Sequence, residues 1–185
     1  MDKNIYLIRH CEADGQLADA LLTEKGIIQA NKLSDFLSPL AIDRIIASPF
    51  LRAVQSIEPY AKKQNVEIEL DHRLSERILS SISLTDWMEK LAETYRDMDV
   101  TYVGGESSKE AMKRIVKVID EVVASDVENT ILVTHGNILS LCLRNYDKNV
   151  GFEQWKSFSN PDVFLMKISQ NKFHYKRIWE ERNSK

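Results

Sequence analysis

Short, unbroken apolar runs recur along this chain, and helix-period stripes lie between them. Ile5–Ile8, Asp43–Ser48 ("DRIIAS") and Thr130–Gly136 ("TILVTHG") are each too short for a buried helix. They are partly β-branched and read as strands buried on both faces. "VEIEL", Val66–Leu70, alternates with period two and reads as another strand. Between them, Thr23 can cap a helix carrying Ile27, Ala30, Leu33, Leu37 and Leu40, and Pro49 opens a second over about 50–64. Trp87, Leu91, Tyr95 and Met98 mark a third. "VGGES" breaks and caps before a stripe of Met112, Ile115, Val116, Ile119 and Val123, and another helix runs from about 137 to 145. Two late strands, about 163–168 and 173–178, form a hairpin. Strands alternating with helices imply βαβ units. The expected fold is α/β: one three-layer α/β/α domain over residues 1–185, with a mostly parallel sheet and an antiparallel edge strand.

Composition narrows the function. The chain has 185 residues, 25 basic against 28 acidic, for a net charge of −3. A general nucleic-acid binder carries a basic excess, so no nucleic-acid partner is expected. No stretch approaches the ~18 apolar residues of a membrane span. The N-terminal apolar run is too short for a signal peptide. The two cysteines, Cys11 and Cys142, form no CxxC pair and no disulfide framework. A cytoplasmic protein without a membrane partner is the default expectation.

The apolar runs end in chemistry. The first stops at Arg9-His10-Cys11, the second at Ser48-Pro49 with Arg52 one turn on, and the third at Thr134-His135-Gly136. In open α/β sheets, ligands bind beyond the carboxyl ends of the strands. Two arginines and two histidines gathered there make an oxyanion site, because guanidinium donors match phosphate. Helices that start just after the strands are expected to aim their N-termini at the same point. Zinc at "RHC" fits poorly, since adjacent guanidiniums repel a dication.

Five segments then carry a resemblance. "LIRHCEA" is similar to Leu-x-Arg-His-Gly-Glu-Thr, and "LLTEKGIIQA" to Leu-Thr-x-x-Gly-x-x-Gln-Ala. "SPFLRAVQS" is similar to Ser-Pro-x-x-Arg-Ala-x-Gln-Thr, "LSER" falls where a general-acid Glu lies, and "LVTHGNIL" resembles a late Ser-His-Gly motif. In this order, over about 5–143, they resemble the histidine phosphatase superfamily, which also contains cofactor-dependent phosphoglycerate mutases. The resemblance implies a metal-independent phosphatase without a cofactor, acting on a small phosphorylated substrate. His10 would be the nucleophile and carry a phosphohistidine. Arg9, Arg52 and His135 would hold the phosphoryl oxygens, with Gln16 and Gly136 as further substrate-binding positions. Glu76 would be the general acid and base, with Glu106 the alternative. A segment of about 77–106 would act as lid and select the substrate. The rivals are a phosphoglycerate mutase and a non-catalytic phospho-ligand binding protein on the same fold.

Two positions depart from the pattern. Cys11 replaces a Gly, and a positive φ there would strain it. A thiol beside two arginines is expected to have a lowered pKa and to oxidise readily. Ser80-Ser81 stand where relatives carry Gly and an acidic–aromatic pair.

Overall fold

The structure is a computed structural model that describes residues 2–170 and 172–179. Six strands form one sheet: β1 (Lys3–Arg9), β2 (Arg44–Ala47), β3 (Ile68–Leu70), β4 (Asn129–Thr134), β5 (Asp162–Ser169) and β6 (Lys172–Arg177). Their order is β3-β2-β4-β1-β5-β6. β1 through β4 pair in parallel, and β5 pairs antiparallel with both β1 and β6. The carboxyl ends of β2, β4 and β1 therefore share one edge. Arg9 stands level with Thr134 on one side and with Asp162, the first residue of β5, on the other.

Both faces of the central strands are buried, as the continuous apolar runs require. Ile5, Leu7, Ile46 and Leu132 face one core, which contains Ile115 and Ile119 of α4 (Ser108–Ala124) and Ile138 and Cys142 of α5 (Gly136–Tyr146). Tyr6, Ile8, Ile45, Ala47, Ile131 and Val133 face the other core. That core is covered by α1 (Glu24–Leu37) and α2 (Leu51–Gln64). Each such fully buried Leu or Ile contributes roughly 1.5–3 kcal/mol.

Thr23 caps α1, its hydroxyl accepting from the Gly26 N–H. The buried stripe of α1 is Gly26, Ala30, Leu33 and Leu37 with Gln29 and Ser34, whereas Ile27 is 54% exposed. The expected stripe was thus off by one residue at its start. The reason is a close approach: a Cβ on Gly26 would lie 2.0 Å from the Glu12 carbonyl oxygen. Gln29 Oε1 also accepts from the Glu12 N–H. The "TEKGIIQ" segment props up the loop that follows β1.

Residues 77–106 contain α3 (Trp87–Arg96) between two irregular stretches. These stretches are laced together. Ser81 N–H donates to the Val103 carbonyl and Glu106 N–H to that of Ile78. Gly104 and Gly105 leave no room for a Cβ against Ser81 and the Leu79 carbonyl. Ser107 then opens α4 with a reciprocal capping box to Glu110. A short helix, α6 (Phe152–Lys156), lies in the connection to β5 and has no clear sequence periodicity.

Candidate active site

His10 follows the last residue of β1, and its ring is nearly buried, at 9% exposure. Nδ1 lies 2.6 Å from the Cys11 carbonyl oxygen. A carbonyl only accepts, so Nδ1 carries the hydrogen and Nε2 keeps its lone pair. Arg52 Nε points at that lone pair from 3.3 Å. From the other side, Asn160 Nδ2 donates to the His10 carbonyl at 2.7 Å. Burial pushes the His10 imidazole down to about 3, and Arg52 and Arg9 push the same way. The ring is neutral through the physiological range.

His135 caps α5 and is fully buried. Its ring stands 5.0 Å from that of His10, edge to face, and 4.9 Å from Phe50. Its Nε2 pairs with Ser48 Oγ at 2.8 Å, while its Nδ1 is buried without a hydrogen-bond partner. Burial again holds this imidazole well below its ordinary pKa.

The two arginines are gripped by carbonyls. Arg52, 1% exposed, donates to the Leu17 carbonyl at 2.7 Å, and its guanidinium lies over the Phe50 ring at 4.9 Å. Arg9 donates to the Phe158 carbonyl at 2.9 Å, and its Nε is buried and unpaired. Among the described residues, neither has a carboxylate within salt-bridge distance. Burial lowers both guanidinium pKa values, and the field of Glu76 opposes the shift at each. Two cations and two neutral imidazoles thus converge where three strands end.

Glu76 lies six residues after the Leu70 end of β3, beyond a 3-10 turn (His72–Leu74). Thr134 Oγ1 donates to the Leu74 carbonyl at 2.6 Å and ties that turn to the end of β4. The carboxylate accepts from the N–H groups of Arg77 (2.8 Å), Asn137 (3.0 Å) and Ile138 (3.0 Å). The first turn of α5 therefore spends its donors on Glu76. α2 does likewise with the loop, Leu51 N–H donating to the Ala18 carbonyl. These first-turn N–H groups are thus committed to protein acceptors. Glu106 is held in a fork by Arg114, at 2.6 and 3.1 Å.

Gln16 is exposed in the loop whose Leu17 carbonyl Arg52 holds. Gly136, the first residue of α5, is a point of close approach. A Cβ there would lie 3.0 Å from Arg9 Nε and 3.2 Å from Trp155 Nε1.

Cys11 overturns its expectation. It is fully buried in the core under α1 and α2, and burial pushes its thiol up to about 12. Its N–H donates to Ser56 Oγ, and its φ is not positive, so the Gly-to-Cys exchange strains nothing. The motifs also missed Phe158, Asn160 and Trp155. All three precede β5, whose antiparallel register brings this connection back to Arg9.

Among the described residues, no three His, Cys, Asp or Glu side chains are grouped to hold a metal ion. None of the helices there is long and apolar enough to cross a membrane. A surface hollow of about 410 Å³ beside the α2 C-terminus, lined by Glu58, Lys62 and Ile68, lies apart from the histidine pair.

The profile of the histidine phosphatase superfamily (branch 1) matches residues 5–180. Phosphoserine phosphatase 1 of Hydrogenobacter thermophilus is 28% identical over 144 residues, 70% of this chain and 68% of that protein. The adenosylcobalamin/alpha-ribazole phosphatase of Salmonella typhimurium is 26% identical over 155 residues, 75% and 77% of the two chains. A mycobacterial glucosyl-3-phosphoglycerate phosphatase has the same fold, with a TM-score of 0.78 at 20% identity over 97% of this chain and 99% of that one. With its paired arginines and histidines at the strand ends, this chain belongs to the histidine phosphatase superfamily.

Proposed function

We propose that this chain is a metal-independent phosphatase that hydrolyses phosphate monoesters through a phosphohistidine on His10. One observation carries the reading: Arg9 and Arg52 are buried beside the histidine pair and held by carbonyls, with no carboxylate at salt-bridge distance among the described residues. A buried cation without a counter-charge is costly. A phosphoryl dianion supplies that charge and matches the donor geometry.

In the proposed cycle, His10 Nε2 attacks phosphorus and the ester oxygen leaves with a proton from Glu76. Water then attacks the phosphohistidine, giving a proton back to Glu76 and releasing inorganic phosphate. Arg9, Arg52 and His135 offset the charge that builds on the phosphoryl oxygens. The two guanidiniums do what Mg²⁺ does in other phosphoryl transfers. Gln16 and residues 77–106 face the leaving group and select it.

The test is rapid quench of the wild-type protein with a labelled phosphate ester in the presence of chelator. An acid-labile, base-stable phosphoenzyme is expected, and His10→Ala should abolish both the label and turnover. Label on Cys11 or on a serine would overturn the assignment.

A further inference from the structure

An aromatic pair stands beside this site and is used by none of the steps above. Trp155 is anchored by stacking on Phe152, with ring centroids 5.4 Å apart, and by packing on the small core of Leu91 and Tyr95. Its indole N–H end reaches the bare face of Gly136, where the Arg9 guanidinium also lies. Trp87, at the start of α3, meets Trp155 edge to face at 6.4 Å and is 48% exposed. Ile78, Ile82, Met88 and Val103 of the 77–106 segment are also each more than a third exposed. Two cations of the same segment are occupied. Arg77 donates to the Glu106 carbonyl and Thr94, and Lys90 pairs with Asp86 and lies over Tyr102.

We propose that Trp87 and Trp155 form the leaving-group subsite, and that the substrate class is phosphate monoesters of neutral alcohols bearing an aromatic or heteroaromatic ring. This rests on the phosphatase reading and names its substrate class. Trp155 lies beside Arg9 at Gly136, and the exposed Trp87 ring against it offers stacking to a flat group. Lys90 is paired with Asp86, and Arg77 is buried with its donors on the Glu106 carbonyl and Thr94, so neither is presented to a carboxylate on the leaving group. The Trp155 N–H, which lies at the Gly136 face, donates to a polar atom of the ring or of the ester linkage.

The test compares benzyl phosphate with ethyl phosphate and O-phosphoserine, three alkyl esters that differ little in leaving-group basicity. Wild type should show kcat/KM for benzyl phosphate about tenfold or more above the other two, carried mainly by KM. Trp87→Ala should bring the benzyl-to-ethyl ratio close to one, and Trp155→Phe, which keeps the ring, should reduce it less. Equal wild-type values for benzyl and ethyl phosphate, phosphoserine as good as benzyl phosphate, or an unchanged ratio in Trp87→Ala would each overturn the proposal. Calorimetric titration with benzylphosphonate and ethylphosphonate reads the same preference without chemistry. A tenfold binding preference with no turnover of any ester would support the subsite and refute the phosphatase reading; equal binding would refute the subsite.

Discussion

The two site histidines are buried as neutral rings, which ties the stability of the fold to pH in a window that few other groups share. In the unfolded chain His10 titrates near its ordinary 6.5, whereas in the folded protein burial and two arginines hold it at about 3. Below pH 6.5 the unfolded state binds a proton that the native state refuses. Stability therefore falls as pH falls, by about 1.4 kcal/mol per pH unit for one such group. Between pH 7.5 and pH 5, His10 alone should cost roughly 2 kcal/mol. His135 acts in the same direction through the same burial. The carboxylates that the fold holds below their ordinary pKa, such as Asp71 and Glu69, contribute their stability above the ordinary carboxylate range and lose it at lower pH. The assay is denaturant unfolding at pH 7.5, 6 and 5 in a buffer free of phosphate, because a bound anion would stabilise the native state. His10→Asn should lower the loss between pH 7.5 and 5 by about 2 kcal/mol, whatever it does to stability at pH 7.5. A wild-type stability that is flat over this range, or a loss that His10→Asn leaves unchanged, would show that the ring is not buried neutral and would refute the reasoning.

Other outcomes follow from single contacts. The Cys11 thiol is sealed and its pKa raised to about 12, so peroxide should leave activity intact and Cys11→Gly should stay active; inactivation reversed by thiol and abolished in Cys11→Gly would contradict this. Gly136→Ala must displace Arg9 or Trp155 by a few tenths of an ångström and should lower kcat/KM about tenfold, with little change in the unfolding midpoint; unaltered kinetics would mean that this approach does not position Arg9. Glu76→Gln should cost alkyl phosphates about 10²–10⁴ more than nitrophenyl phosphate, whose leaving group departs without a proton. The same leaving-group dependence in Glu106→Gln instead would move the acid to Glu106.

Much of this site was legible because parallel topology turns a local pattern into a spatial one. An apolar run buried on both faces must end at the sheet edge, so Arg9-His10, Ser48 and His135 could be brought together from sequence alone. Glu76 was legible only through its motif, since nothing in the weak periodicity after Leu70 says that Thr134 fastens that turn to β4. Trp155, Phe158 and Asn160 were illegible for a different reason. They reach the site through the antiparallel register that sets Arg9 opposite Asp162, a pairing no local pattern encodes. Cys11 was misread because adjacency in sequence says nothing about direction. The chain turns after His10 and sends the thiol into the core with Ala53 and Ile57, away from the guanidiniums.

Two sets of arginines in this chain are held differently, and the contrast bears on how a site keeps its charge. Arg73 is forked between Asp71 and Glu121, Arg114 is paired with Glu106, and Arg177 with Asp162. These cations are neutralised and hold loops to helices and the sheet edge; carboxylate bonding raises the pKa of Arg73. Arg9 and Arg52 are positioned instead by the carbonyls of Phe158 and Leu17. A carbonyl fixes the direction of a guanidinium but cancels none of its unit charge. A carboxylate in the same place would orient the side chain equally well and leave it unable to offset the charge on a phosphoryl group. Asp162 shows how close that alternative lies. Its field reaches Arg9, yet its oxygens are taken by Arg177 at 2.7 Å and by the Ser159 N–H at 3.0 Å. Arg177, on the edge strand, thus keeps the nearest acid of β5 occupied and leaves Arg9 its full charge at the histidine pair.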